Sequence, residues 1–293
     1  MTTNDARRLG LGRRDFLRRA AVGLGAVAVG PQLLAACGDD DAEETSSASS
    51  TATTAAAAGT ALTHSNWPAY MDEETVELFR EETGIDLAYN EDFNDNTEYF
   101  AKIQPDLSAG RNPGADIITP TYWLAGRLIT LGWVEELPLD DIPNAANLVA
   151  DLRNPSWDPE GRFSLPWQSG MTGIAYNIAA TGRELGSFTD LLDPAFKGKI
   201  GMLTEMRDTL GLALLAEGVD VTDLSFDAAA GAFDTLEKAK SDGQIRQFTG
   251  NDYMDDLAAG NFAACVGWSG DISQLALENP DLRFVIPEAG GMR

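Results

Sequence analysis

Short apolar runs alternate with amphipathic stretches from about residue 61 to the end of the chain, and this pattern predicts alternating strands and helices. The run Leu62–Asn66 predicts a strand that stops before Pro68, because proline has no amide hydrogen to donate to a sheet. An acidic stretch then precedes an apolar stripe with helical spacing, which we expect to end at Gly84. Ile85–Tyr89 predicts a second strand. Together these segments predict a βαβ unit.

Aromatic and hydroxyl side chains directly follow two of the predicted strands. Trp67 and Tyr70 come after the first strand, and Thr121 and Trp123 come after a strand predicted at Ala115–Thr119. Since the carboxyl ends of strands in an open α/β sheet border the ligand crevice, these side chains are candidates for a binding wall. Ordinary half-buried packing explains the same positions, and the pattern alone does not separate the two interpretations.

The rest of the chain continues this alternation in two halves. Extended segments at Phe163–Gly170 and Thr172–Asn177 predict either a crossing between two domains or one hairpin. The other predicted elements are a helix from Asp95 or Asn96 to Leu107 with a kink or break at Pro105, a helix at Leu124–Leu131, an edge strand at Trp133–Leu137, strands at Ile200–Leu203, Phe262–Trp268 and Leu282–Pro287, and helices at Leu210–Gly218, at Asp227–Ser241 and from Asn251. This order predicts an α/β fold with parallel or mixed sheets in two lobes.

Residues 1–37 have the features of an export signal. Six arginines precede an apolar run that is too short and too often interrupted for a transmembrane helix. Arg13 and Arg14 form a twin-arginine motif, which directs folded proteins to export, and Leu34–Cys37 resembles a lipobox, in which Cys37 is acylated. Residues 38–60 are acidic and then rich in Ser, Thr and Ala, which predicts a disordered tether. We therefore expect a lipid-anchored protein at the outer face of the cytoplasmic membrane or in the periplasm.

Charge and residue content narrow the functional classes. The formal charge is −25, which disfavours nucleic acid as a partner and weakly favours cationic ligands, although an acidic solvated surface is the better explanation. Cys265 lies in an apolar run typical of a buried strand, and His64 is the single histidine, so a Cys–His nucleophile is disfavoured. The sequence contains no nucleotide-binding loop, zinc-protease motif or nucleophile elbow. We expect neither a metal nor a cofactor.

Several stretches together resemble the spermidine/putrescine-binding lipoproteins of bacterial ABC importers. They are Ser65–Tyr70, Phe79–Gly84, Asp116–Trp123, Asp190–Ile200 and Val266–Gly270. The Lys197-Gly198-Lys199 block is shared by many substrate-binding proteins, whereas Asn66-Trp67-x-x-Tyr70 is more particular to polyamine binders. The resemblance implies a two-lobed, type II periplasmic-binding-protein fold. Lobe 1 would comprise residues 61–170, lobe 2 residues 171–287, and a second crossover would start at residues 288–293.

The resemblance also implies which residues hold a ligand between the lobes. They are Trp67, Tyr70, Thr121 and Trp123 from lobe 1, Glu205, Asp208 and Trp268 from lobe 2, and Tyr253 as a further candidate. An aromatic ring attracts an ammonium group by about 0.5–2 kcal/mol, and carboxylates form charge-assisted hydrogen bonds with it. Capping of a helix N-terminus is the other role open to each carboxylate.

The implied function is capture of spermidine or putrescine for the permease and ATPase subunits of an ABC importer. A binding protein for another organic amine, a sugar or ferric iron is one alternative, and a carboxylate-pair hydrolase is another. Family members continue past the position of Gly291 with a further strand and C-terminal helices, so the resemblance implies that the C-terminal part of the fold is missing. We expect the chain expressed alone to be destabilised and to bind polyamine weakly or not at all.

Overall fold

The computed structural model describes residues 61–222 and 224–292. The predicted export signal with Arg13, Arg14 and Cys37, and the predicted tether, lie outside these residues. No helix in the described part of the chain is long and apolar enough to cross a membrane. We keep the names lobe 1 for residues 61–170 and lobe 2 for residues 171–287, because each range contains a separate sheet.

Strands and helices alternate through both lobes, as the sequence pattern predicts. The strands are β1 (Ala61–Asn66), β2 (Asp86–Glu91), β3 (Ile117–Ile118), β4 (Thr172–Asn177), β5 (Ile200–Leu203), β6 (Ile245–Thr249), β7 (Ala264–Trp268) and β8 (Leu282–Val285). The α-helices are α1 (Thr75–Thr83), α2 (Asn96–Leu107), α3 (Tyr122–Thr130), α4 (Ile178–Thr181), α5 (Met206–Ala216), α6 (Phe226–Ser241), α7 (Tyr253–Ala258) and α8 (Ser269–Glu278). Short 3₁₀ helices occupy Leu139–Asp141, Pro143–Asn147, Ala150–Leu152, Phe188–Leu192 and Pro194–Phe196.

Lobe 1 contains a parallel three-stranded sheet in the order β2-β1-β3. Helix α1 connects β1 to β2 and ends at Gly84, whose left-handed φ of 70° lets its amide donate to the carbonyl of Arg80. Helix α2 begins after Asp95, whose carboxylate accepts hydrogen bonds from the amides of Thr97 and Glu98. Pro105 lies in the last turn of α2, and the helix continues past it to Leu107.

The predicted edge strand at Trp133–Leu137 is wrong. The Trp133 amide donates back to the carbonyl of Leu128 and closes α3, whereas the Leu137 amide donates to the carbonyl of Arg162 without a continuing ladder. Alternation of apolar and polar residues is compatible with a strand, but a strand also needs a neighbour with free backbone groups. The chain turns into 3₁₀ helices at this point instead.

Lobe 2 contains a mixed five-stranded sheet in the order β6-β5-β7-β4-β8. Strand β5 runs parallel to β6 and β7, and β4 runs antiparallel to β7 and β8. Because β4 pairs with these strands and not with Phe163–Gly170, the hairpin interpretation of the two extended segments is wrong. The predicted α/β class, with a parallel or mixed sheet in each lobe, is confirmed.

Each lobe has its own hydrophobic core. The core of lobe 1 is built on aromatic rings, including Trp67, Phe93 and Tyr99. The larger core of lobe 2 surrounds its sheet, where β4 and β7 are buried on both faces. Trp268 packs against both cores. The end of β7 therefore lies where the two lobes meet.

Candidate ligand-binding cleft

A cavity of about 1190 Å³ extends between the lobes and along lobe 1. Four strand ends contribute to its lining: the residues after β1, β3, β5 and β7. Lobe 1 also provides apolar residues of α1, α3 and the 3₁₀ region. The predicted convergence of side chains that follow the strands is therefore present in the structure.

Trp67 is part of the core and also borders the cavity. It is 3% exposed, and its indole Nε1 donates to the Thr119 carbonyl over 2.8 Å. Its ring centroid lies 5.6 Å from that of Trp268 in an edge-to-face arrangement and 6.3 Å from that of Tyr70. Burial and the nearby Asp271 and Asp208 raise the pKa of Tyr70, so its hydroxyl stays protonated at neutral pH. Trp67 therefore packs against Tyr70 and Trp268 from within the core of lobe 1.

Two carboxylates, Asp208 and Asp271, line the cavity together with Trp268. The Trp268 indole Nε1 donates to Asp208 Oδ2 over 2.7 Å. Asp271 follows three residues after Trp268, and its Oδ2 accepts from the Tyr253 hydroxyl at 2.8 Å and from Asn251 Nδ2 at 3.0 Å. Burial raises the pKa of both carboxyl groups to about 6, with Glu205 as a further cause at Asp208. A cation placed beside either carboxylate would stabilise its ionised form and lower its pKa.

Glu205 and Trp123 contact each other across the cleft. Trp123 Nε1 donates to Glu205 Oε2 over 2.8 Å, and Asn96 Nδ2 donates to the same oxygen over 3.3 Å. Glu205 Oε1 accepts from the amide of Arg207 over 3.3 Å, so Glu205 also caps helix α5. The Arg207 guanidinium lies 4.5 Å from the Trp123 ring centroid.

Thr121 and Tyr253 occupy different positions relative to the cavity. Thr121 lines the cavity, and its buried Oγ1 has no hydrogen-bond partner in the described residues. Tyr253 is 1% exposed and lies behind the cavity lining, where its hydroxyl donates to Asp271 and accepts from the amide of Trp268 at 3.0 Å. The structure thus places the other seven predicted site residues at the cavity and Tyr253 in a supporting position.

Sequence reasoning missed several residues of the cleft. Asp271 follows a predicted strand, so the strand-end position that selected Trp67 and Trp123 could have found it. Arg207 lies between the two selected carboxylates but carries the opposite charge to the one sought. His64 Nε2 lies 2.7 Å from Thr119 Oγ1, and burial lowers the pKa of this histidine. Trp167, whose indole donates to the Tyr70 carbonyl over 2.9 Å, lies in an irregular segment without a distinguishing pattern.

Comparison with known proteins connects this cleft to a family. Residues 74–292 match the model of the bacterial extracellular solute-binding proteins. The chain belongs to this family. Its solved relatives include the spermidine/putrescine ABC transporter substrate-binding protein PotD of Streptococcus pneumoniae, with a TM-score of 0.62 and 27% identity over 79% of this chain and 69% of that one. The predicted two-lobed, type II periplasmic-binding-protein fold is thereby confirmed.

Two curated relatives share more than a quarter of the aligned residues. The putrescine-binding periplasmic protein PotF of Escherichia coli is 29% identical over 78% of this chain, and spermidine/putrescine-binding periplasmic protein 1 of Haemophilus influenzae is 26% identical over 76%. The chain spans 65% and 61% of the length of these two relatives.

Among the residues that the structure describes, no group of three His, Cys, Asp or Glu side chains is arranged to hold a metal ion.

Proposed function

We propose that the chain captures a small amine of the polyamine class, spermidine or putrescine, in the cleft between its lobes. The observation that carries the proposal is the pair of carboxylates, Asp208 and Asp271, that line the same cavity as Trp268 and Tyr70. Relatives named for putrescine and spermidine binding support the same ligand class. The chain acts as a binding protein and not as an enzyme.

The chemistry of the cleft suits an alkyl chain that carries ammonium groups. Asp208 and Asp271 accept charge-assisted hydrogen bonds from ammonium nitrogens. The faces of Trp268 and Tyr70 pack against methylene groups and attract a nearby cation. Tyr253 and Asn251 orient Asp271 from behind, and the free Oγ1 of Thr121 offers a further acceptor. Enclosure between the lobes excludes water and strengthens each charge pair.

The proposed cellular role combines the family with the export and lipidation motifs at Arg13, Arg14 and Cys37. The protein is exported by the twin-arginine signal, is held at the outer face of the cytoplasmic membrane by lipid on Cys37, and delivers its ligand to the permease and ATPase subunits of an ABC importer. Metabolic labelling with a radioactive fatty acid tests the anchor, since the label should be incorporated into the wild type and not into a Cys37→Ser variant.

Calorimetric titration of the purified protein tests the ligand. The resemblance alone leads us to expect weak or absent binding, but the described lobes bring the proposed ligand groups together at one cavity. Putrescine and spermidine should therefore release binding heat, whereas glucose and ferric citrate should not. Asp208→Asn and Asp271→Asn should each weaken amine binding at least tenfold, because each removes one charge partner. Asp255→Asn, an exposed carboxylate on α7, is the matched control and should bind like the wild type. Heat from glucose alone, or unchanged amine binding in both cleft variants, would refute the proposal.

A further inference from the structure

The loop before α2 contacts lobe 2 directly through backbone groups. The carbonyl oxygen of Asn94 accepts from the amide of Asn251 over 2.8 Å, and Asn94 Oδ1 accepts from the amide of Asp252 over 3.1 Å. A Cβ added to Gly250 would lie 2.2 Å from the carbonyl oxygen of Asn94. The two lobes therefore approach each other so closely here that only glycine fits.

Asp95 joins a helix end to the other lobe. Its Oδ1 accepts from the amides of Thr97 and Glu98 at the start of α2, at 2.7 and 2.9 Å. Its Oδ2 accepts from Thr204 Oγ1 of lobe 2 over 2.6 Å. Because the helix already fixes the Asp95 side chain, little rotamer freedom is lost when the second bond forms.

Glu205 extends the same contact region into the cleft. It is 8% exposed, and Oε2 accepts from both Asn96 and Trp123, which belong to lobe 1. Its second oxygen is used at the start of α5, and Arg207 stacks on the ring of Trp123. Both oxygens of Glu205 thus accept hydrogen bonds from protein groups, whereas Asp271 accepts from Tyr253 and Asn251 through Oδ2 alone.

We infer that these contacts form an interlobe latch and that Glu205 serves closure instead of holding an ammonium group. The latch consists of Asn94, Asp95, Asn96 and Trp123 in lobe 1 and of Thr204, Glu205, Arg207 and Gly250–Asp252 in lobe 2. The latch holds the two lobes together whether or not a ligand is bound. Its role in retaining a polyamine rests on the proposed function. Asp208 and Asp271 remain as the carboxylates for the ligand.

The distance between the lobes, measured without ligand, tests the latch. Nitroxide labels on Glu82→Cys in lobe 1 and Glu237→Cys in lobe 2, both at exposed positions, report this distance by double electron–electron resonance. The labelled protein also carries Cys37→Ser, and Cys265 is buried, so neither position takes up the label. Gly250→Ala inserts a methyl group between the lobes, and Trp123→Phe removes the indole donor while keeping a ring. Both should lengthen and broaden the distance distribution. Gly186→Ala is the control, because its added Cβ meets its nearest atom at 3.8 Å.

Binding measurements separate the latch from the ligand. Glu205→Gln keeps an acceptor for Trp123 and Asn96 and removes the charge, so we expect it to weaken putrescine binding less than tenfold, against more than tenfold for Asp271→Asn. Wild-type distances in both Gly250→Ala and Trp123→Phe would overturn the latch. So would a Glu205→Gln variant with unchanged distances and a loss as large as that of Asp271→Asn. Lengthened distances in a protein that binds no amine would support the latch and refute the polyamine function.

Discussion

Acidification should release a bound amine from the cleft. Burial raises the pKa of Asp208 and of Asp271 to about 6, so each carboxyl group takes up a proton as the pH falls through that value. A protonated carboxyl group no longer attracts a cation, whereas an alkylammonium group, whose pKa resembles that of lysine at about 10.4, stays charged. Binding should therefore be strongest above pH 7 and should weaken below it.

The expected size of the effect follows from the two pKa values. A group with a pKa of about 6 is roughly 90% ionised at pH 7 and roughly 10% ionised at pH 5. If both groups must be ionised, the affinity falls about 100-fold between these pH values, or about 2.7 kcal/mol. Two carboxyl groups with ordinary pKa values near 4 would change the affinity by only about 20%.

Titration with putrescine from pH 5 to pH 8 at constant ionic strength measures this dependence. The slope of log Kd against pH should approach two protons in the wild type below pH 6 and one proton in Asp208→Asn. Circular dichroism at pH 5 serves as the control that the protein remains folded. An affinity that differs by less than twofold between pH 7 and pH 5 would refute the assignment of these carboxylates to the ligand.

Three further changes test stability. Asp271→Asn should raise the melting temperature at pH 7. The raised pKa of Asp271 means that ionising this carboxyl group lowers the free energy of unfolding, by up to about 3 kcal/mol, as the pH rises from about 4 to about 6. The advantage of the variant should vanish below pH 4, and a lower melting temperature at pH 7 would contradict the reasoning. Gly173→Ala should lower the free energy of unfolding in urea by about 1–3 kcal/mol, since its Cβ would lie 2.4 Å from the Val285 carbonyl oxygen; an unchanged urea midpoint would count against this contact. Asp158→Ala should lower the free energy of unfolding in urea by at least about 2 kcal/mol, because the buried carboxylate accepts hydrogen bonds from the amides of Arg162, Phe163 and Ser164. A loss below about 0.5 kcal/mol would show that these amides find other partners.

Local signals in the sequence predicted most of the fold. Pro68 marks the end of β1, Gly84 ends α1 with a left-handed backbone, and Asp95 caps α2, so each boundary is set by one residue and its immediate neighbours. Trp133–Leu137 had a suitable pattern but no partner strand. Whether this segment forms a strand depends on pairing with residues far along the chain, and periodicity carries no information about such pairing.

The site was also predictable only where a local signal in the sequence marked its residues. Side chains that follow strands converge because sheets place those ends together, and this rule found Trp67, Tyr70, Thr121 and Trp123. Asp208 and Trp268 came from the resemblance to the polyamine-binding family. The rule does not say which of these side chains contact each other across the lobes. The hydrogen bond from Trp123 to Glu205 joins residues 82 positions apart, and it depends on how two sheets are oriented. Spacing also could not show that Trp67 supports the wall from within the core.

The position of β4 between β7 and β8 has a consequence for the order of folding. In lobe 1, β1 can pair with β2 and β3 once the chain has reached Ile118. In lobe 2, β4 is made early, but its neighbours are β7 and β8, and Ala175 pairs with Cys265 and Phe284. During synthesis, the apolar strand β4 must wait for about 90 residues before its first partner arrives. Lobe 2 therefore completes its sheet late, and a chaperone or an export factor that recognises exposed strands would encounter β4 during that interval.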